Sequence, residues 1–246
     1  MQTTTDKNET EVFSLPQIFL YHLLPGVPIL LFTILFAHPT IGFGLPILLS
    51  LMLAVLFGLI PTEMGILLFT AKRQGKKIKE MISFREKMPA FKTILWALPC
   101  IVFGLIIFIF LAKIEHPVWT IFNRVPEWFR IDRFNAGSVE KSLMILIIVL
   151  DLILNGICGP LVEELYFRGF LLPRMGKLGK AAPFVNTVLF SLYHFFSPWE
   201  NISRILAMTP YIFIVWYKKN IRIGMVVHCT MNVLGAISLI VTVMNI

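Results

Sequence analysis

Long apolar runs, separated by short and mostly basic connections, set the pattern of this chain. They fall at Gln17–Ala37, Phe43–Ala71, Phe91–Ala112, Ser142–Leu172, Ala182–Phe196, Ile202–Tyr217 and Ile223–Met244. A helix needs about 20 apolar residues to cross the hydrocarbon core of a bilayer, so the pattern predicts an all-α polytopic transmembrane bundle of about seven spans, with six to eight allowed. The second and fourth runs exceed a simple crossing. Pro61 interrupts one and Gly159-Pro160 the other, which predicts a kink, a tilt or a break at each.

Composition agrees with a membrane protein. Of 246 residues, 57% are hydrophobic and only 15% charged, against about 25% charged in a soluble domain. The mean hydropathy is +0.80. The net charge of +8 does not call for nucleic acid, because the cations sit in the connections, where they orient a membrane protein. Cys100, Cys158 and Cys229 lie inside apolar runs and form no metal-type CxxC pair. The first sixteen residues are polar, with Lys7 as their one cation, and lack the basic start of a cleavable signal.

Seven spans would place fifteen cations on one side: Lys7, those between Lys72 and Lys92, those between Arg174 and Lys180, and Lys218, Lys219 and Arg222. Six lie on the other: Lys113, Arg124, Arg130, Arg133, Lys141 and Arg204. The positive-inside rule then puts the N-terminus in the cytoplasm. The longest outer connection, Lys113–Lys141, alternates Trp119, Phe122, Trp128, Phe129 and Phe134 with charges, the composition of a segment lying at the membrane surface; a lid over a site is the lesser reading. One structural domain is expected, with N-terminal spans and a surface loop at 1–141 and a core at 142–244.

Ionisable groups inside spans cost roughly 2.5–3.5 kcal/mol each on insertion scales, so their positions are informative. The fourth span carries Glu163, Glu164 and Arg168, the fifth His194, and the seventh His228 and Asn232. Glu164 and Arg168, like His228 and Asn232, are one helical turn apart. At about 1.5 Å per residue, Glu164 lies about 15 Å from Arg174, His194 about 17 Å from Pro183, and His228 and Asn232 about 9 and 15 Å from Arg222. Six polar side chains from three helices thus share a depth, which predicts a buried, wet cavity reached from the cytoplasmic half. Arg168 can neutralise only one glutamate, and the other is left beside two histidines. A glutamate in a low-dielectric site suits a general base, and with His194 it can activate a water. His228 and the Asn232 amide can serve an oxyanion. There is no HExxH, no GxSxG and only Asp151 among the aspartates within a span; Gly137-Ser138 reads as a helix cap.

Glu163-Glu164-x-x-Phe167-Arg168-Gly169 resembles the EExxxR motif of the CPBP intramembrane proteases, the group that includes Rce1-type CAAX prenyl endopeptidases and bacteriocin-processing or immunity proteins. Phe190-x-x-x-His194 resembles its FxxxH motif and His228-x-x-x-Asn232 its HxxxN motif, in the same order and spacing, across about Ser142–Met244. Many relatives have Asn where this chain has Ser197. The resemblance implies an endopeptidase acting on a peptide or membrane-protein substrate, prenylated or leader-bearing, in a cavity open to the cytoplasm. Glu163 and His194 would activate water, His228 and Asn232 would form the oxyanion site, and Glu164 and Arg168 would support them or engage substrate. No obligatory metal is expected; if a divalent metal such as zinc takes part, Glu163, His194 and His228 are ligands of the right type. The setting is the lipid bilayer, compatible with a bacterial plasma membrane. Two other classes remain open: an ion- or proton-coupled transporter, for which Asp151, Asn155 and Glu63 would also need roles, and a non-catalytic membrane immunity or scaffold protein.

Overall fold

Backbone N–H and C=O groups in hydrocarbon must be paired within their own segment, and this chain meets that demand with helices. A computed structural model describes residues 11–114, 126 and 139–244. Seven main helices follow in order: α1 (Leu15–Gly42), α2 (Leu48–Arg73), α3 (Ala90–Ile114), α4 (Lys141–Arg174), α5 (Ala182–Leu192), α6 (Asn201–Lys218) and α7 (Ile221–Met244). No strand occurs among the described residues, only an isolated antiparallel bridge between Arg85 and Asn220. The aromatic residues of the expected surface segment, Gly137-Ser138 and the first ten residues lie outside the described residues.

Five helices, α1 to α4 and α7, are long and apolar enough to cross a membrane, where the apolar runs predict seven spans. The two that fall short have evident reasons. α5 has 11 residues, about 16 Å, because its apolar run turns at Tyr193–Pro198 instead of continuing. α6 has 18 residues but carries Arg204 near its start and Pro210 in its middle. Together they form a hairpin that leaves the basic end of the bundle and returns to it.

The expected breaks at proline are wide turns. Proline lacks the N–H that would bond four residues back, and its ring crowds that carbonyl. The π-helical turn Val55–Leu59 precedes Pro61, and Leu154–Cys158 precedes Pro160, so that Ile60 and Gly159 donate five residues back, to Val55 and Leu154. α2 and α4 stay continuous. A third and longer π-helical stretch, Glu164–Leu171, runs through the EExxxR motif from its second glutamate. Such stretches widen the helix and re-aim its side chains, often at functional sites.

The core lies where α4 meets α5 and α6. Arg168 is wholly buried there with Tyr166, Phe167, Phe170, Phe190, Tyr193 and Tyr211. Phe91, Leu95, Ile106, Ile109 and Phe110 of α3 face outward, as the lipid side of a spanning helix requires.

At the basic end, the connection between α2 and α3 is strapped across the bundle. The Ser83 N–H donates to the Gly169 carbonyl at 2.8 Å, Ile221 to Phe84 at 2.9 Å and Glu86 to Lys219 at 2.9 Å. The buried Arg174 guanidinium donates to the carbonyls of Phe170 (2.7 Å) and Met81 (3.1 Å). Gly169, the last residue of the motif, makes the approach possible: a Cβ there would stand 2.7 Å from Ile82 Cγ2.

Candidate active site

Successive residues of α4 send two carboxylates to different partners. Glu163 ends a regular helical turn, and Glu164 opens the π-helical stretch. Glu164 is wholly buried, and its Oε1 accepts from the Tyr211 hydroxyl at 3.0 Å, faces His228 Nδ1 at 3.1 Å and lies 3.5 Å from Arg168 Nε. Arg168 also donates to the Tyr211 hydroxyl at 2.8 Å and stacks 4.0 Å above the Phe190 ring. Arg168 therefore neutralises Glu164, not Glu163. Close approach of α7 completes this layer: a Cβ on Gly224 would collide with Glu164 Oε2.

Glu163 sits between the two imidazoles. His194 Nε2 is 3.7 Å from its Oε1 and His228 Nε2 is 3.7 Å from its Oε2. The Tyr193 hydroxyl donates to Oε1. Both ring tautomers follow from the acceptors on the far nitrogen. His194 Nδ1 lies 2.8 Å from the Phe190 carbonyl, which can only accept, so Nδ1 carries hydrogen and Nε2 offers its lone pair toward Glu163. His228 Nδ1 donates to the Glu164 carboxylate in the same way, and its Nε2 is a donor only when the ring holds both protons.

Phe190 explains its place in the second motif. Its ring packs edge-on against His194 (4.9 Å), His228 (5.8 Å) and Phe167 (4.9 Å) and lies beneath the Arg168 guanidinium. One aromatic residue thus fixes both imidazoles and the cation. Asn232 donates one N–H to the Asn155 carbonyl at 2.8 Å, in the π-helical turn of α4, and keeps its second for another acceptor.

Glu163, His194, His228 and Asn232 line one cavity of about 270 Å³. Its walls are otherwise largely apolar, with Leu51, Val55 and Leu59 from α2, Phe108 from α3 and Met231 from α7. From the level of Glu163 it extends along α4 to Asn155, away from Arg174 and the basic end. Among the described residues, no group of three or more His, Cys, Asp or Glu side chains is arranged to hold a metal ion. Glu163 Oε1 is engaged by Tyr193, His228 Nδ1 by Glu164 and His194 Nδ1 by the Phe190 carbonyl, so Glu163 Oε2 and the two Nε2 atoms are the donors of zinc type that remain.

Two features escape a reading of the sequence, and a third, Glu63, is seen there without a role. Tyr193 and Tyr211 each supply a phenol to one glutamate, although tyrosine in an apolar run gives no signal beyond its hydroxyl. Arg204, counted above among the outer connections, is a buried residue of α6 that lines the cavity. It donates to Ser197 Oγ at 2.8 Å and pairs with Glu200 at 2.6 Å, so Ser197 also belongs to the site wall. Glu63 of α2 is wholly buried, within electrostatic range of Glu163 and Arg168, and neither of its oxygens meets a hydrogen-bond donor among the described residues.

Neither the curated proteins nor the solved structures compared with this chain gave a match. A family model does match, and it covers all three motifs. Residues 145–234, the segment that carries Glu163, His194, His228 and Asn232, fit the Rce1-like model, described as type II CAAX prenyl endopeptidase Rce1-like.

Proposed function

We propose that the chain is an intramembrane endopeptidase that hydrolyses a peptide bond with a water activated by Glu163 and His194. The observation that carries the reading is the Glu163 carboxylate standing 3.7 Å from two imidazole nitrogens in a partly polar cavity. That separation is too long for a direct hydrogen bond and is within reach of one water touching both groups. The match of residues 145–234 to the Rce1-like model supports peptide-bond hydrolysis as the reaction class.

The water would give one hydrogen to Glu163 and direct the other at the lone pair of His194 Nε2, leaving its oxygen free to attack the substrate carbonyl. Glu163 takes the proton as the new C–O bond forms. The oxygen of the tetrahedral intermediate gathers charge facing His228 Nε2–H and the second N–H of Asn232, and donors preorganised in a water-poor site stabilise it strongly. The C–N bond then breaks, and the leaving amine takes the proton held on Glu163. The products are a carboxylic acid and an amine, with no covalent intermediate. Glu164 accepts from His228 Nδ1 and so turns Nε2 toward the cavity, and Arg168 balances Glu164. No step is routed through a metal. The substrate fitting this cavity is a peptide segment of a membrane-associated protein, prenylated or leader-bearing.

The test compares peptide termini by mass spectrometry in membranes with wild type, Glu163→Gln or His194→Ala at matched expression, with and without a chelator. New termini confined to wild type, and unchanged by chelation, are expected. Loss on chelation with recovery on adding zinc would reassign Glu163, His194 and His228 as ligands. Identical termini in all three, with any phenotype intact, would sink the protease in favour of a scaffold. A phenotype lost in both variants with no cleavage would indicate transport.

A further inference from the structure

Leu51, Val55 and Leu59 follow one another at four-residue steps on the face of α2 that walls the cavity, and the next position of that stripe is Glu63. α2 and α4 both run toward the basic end, marked by Arg73 and Arg174, and they meet at Val55 and Gly159, where an added Cβ would lie 3.7 Å from Val55 Cγ1. Equal steps along the two helices put Leu59 level with Glu163, and Glu63 level with Phe167 and Arg168, one turn beneath the cavity. Glu63 is wholly buried there, within electrostatic range of Arg168 and Glu163, yet neither of its oxygens meets a donor among the described residues. Arg168 has the matching deficit. Its Nη2 is spent on Tyr211 and its Nε faces Glu164 at 3.5 Å, while Nη1 meets no acceptor among the described residues.

An unspent donor and two unspent acceptors thus lie at one depth, wholly buried, too far apart for a direct ion pair and close enough to feel each other's charge. Buried polar groups are almost always paired, and a separation beyond direct contact is the span that one water covers. We propose that Glu63 is a positioning residue of the site, which holds Arg168 from α2 through a buried water-binding pocket formed by its carboxyl and Arg168 Nη1. Arg168 in turn keeps Glu164, and Glu164 turns His228 Nε2 toward the cavity. The apolar wall of α2 and the orientation of the histidine are tied together by that pocket. The protease reading enters only through the rate that Glu63 is expected to govern.

Glu63→Gln and Glu63→Leu in the full chain test it. Glutamine keeps an acceptor for the water and removes the charge; leucine removes both. Neither is expected to unfold at a lower temperature than wild type, because each takes away a buried carboxyl that no cation touches. On a peptide spanning a wild-type cleavage site, Glu63→Gln is expected to keep most of kcat, and Glu63→Leu to lose about tenfold in kcat at unchanged KM. Equal losses in both variants would assign the effect to charge and overturn the water pocket. A loss that follows a fall in unfolding temperature would make Glu63 structural, and full activity in Glu63→Leu would remove it from the site. A structure of the full chain in lipid, at a resolution that shows waters, gives a readout independent of cleavage. Density bridging Glu63 to Arg168 Nη1 is expected in wild type and Glu63→Gln, with its loss and a longer Glu164–His228 contact in Glu63→Leu. A direct Glu63–Arg168 ion pair, or a dry gap, would overturn the proposal even where wild type cleaves. Bridging density in a chain that cleaves nothing would uphold the pocket and sink the protease reading instead.

Discussion

Glu164 holds His228 through a 3.1 Å contact to Nδ1, and that single contact separates the duties of two adjacent glutamates. A carboxylate can only accept, so the imidazole presents its other nitrogen toward Glu163, 3.7 Å away. Glu164 spends its charge on Arg168, Tyr211 and His228 and has none of the cavity wall. Glu163 has no guanidinium partner and faces the cavity. Order and orientation of the site thus come from the second glutamate, and reactivity from the first.

Glu163→Gln is expected to abolish cleavage while leaving the fold as stable as wild type or more so. The glutamine carbonyl can still accept from Tyr193, and removing a buried charge that no Arg or Lys neutralises takes away a desolvation penalty. Losing the general base lowers the rate by about 10²–10⁴-fold. Terminal-peptide mass spectrometry and thermal unfolding in detergent check the two halves; a large fall in melting temperature would show that Glu163 is structural.

Arg168→Met is expected to be destabilising, by about 3–5 kcal/mol, because it strands the buried Glu164 charge. Arg168→Lys does not rescue it, since a point ammonium cannot meet Glu164 and Tyr211 while stacking flat on Phe190. Adding Glu164→Gln to Arg168→Met recovers part of the loss, because the two residues share one interaction and their effects do not add. The unfolding midpoints of the single and double variants form the cycle that measures this.

Much of this site is legible in the sequence because its expensive groups have no other reason to be inside a membrane. Glu163, Glu164, Arg168, His194, His228 and Asn232 stand out against apolar surroundings, and their distances along three helices already place them at one depth. Tyr193, Tyr211 and Arg204 do not stand out in that way. A tyrosine is ordinary in an apolar run, and an arginine near a run's end reads as a loop cation until the helix containing it is seen. The span count suffers from the same limit. Ala182–Phe196 is apolar enough to suggest a crossing, yet the chain turns after Leu192, and hydropathy carries no record of where a helix turns inside a bundle.

Tyr193→Phe removes the phenol donor from Glu163 and little else, as the ring packing against Phe167, Phe190 and His194 is retained. A hydrogen bond to a charged group is worth about 1.5–3 kcal/mol, and each 1.36 kcal/mol on a barrier is tenfold in rate. The expected outcome is a fall in kcat of about 10- to 100-fold with KM unchanged, because Tyr193 orients the base and is absent from the cavity lining. A rise in KM alone would instead place Tyr193 in substrate binding.

Gly224 and Gly235 lie on the same helix and give a matched pair of tests. At Gly235 an added Cβ meets nothing within 4 Å, so Gly235→Ala is expected to be neutral or stabilising by about 0.5–1 kcal/mol through helix propensity alone. At Gly224 the added Cβ collides with Glu164 Oε2 and would lie 3.3 Å from Val215 Cγ2. Glu164 cannot swing aside cheaply, since Arg168, Tyr211 and His228 all bind the same carboxylate. Gly224→Ala must therefore push α7 off α4 or pull Glu164 away from His228, one helical turn further along. Either movement lengthens the His228–Glu163 separation. Gly224→Ala is thus expected to lose most cleavage and to unfold earlier, with Gly235→Ala unchanged in activity. Equal behaviour of the two variants in cleavage and thermal unfolding would show that α7 does not need this approach to set His228.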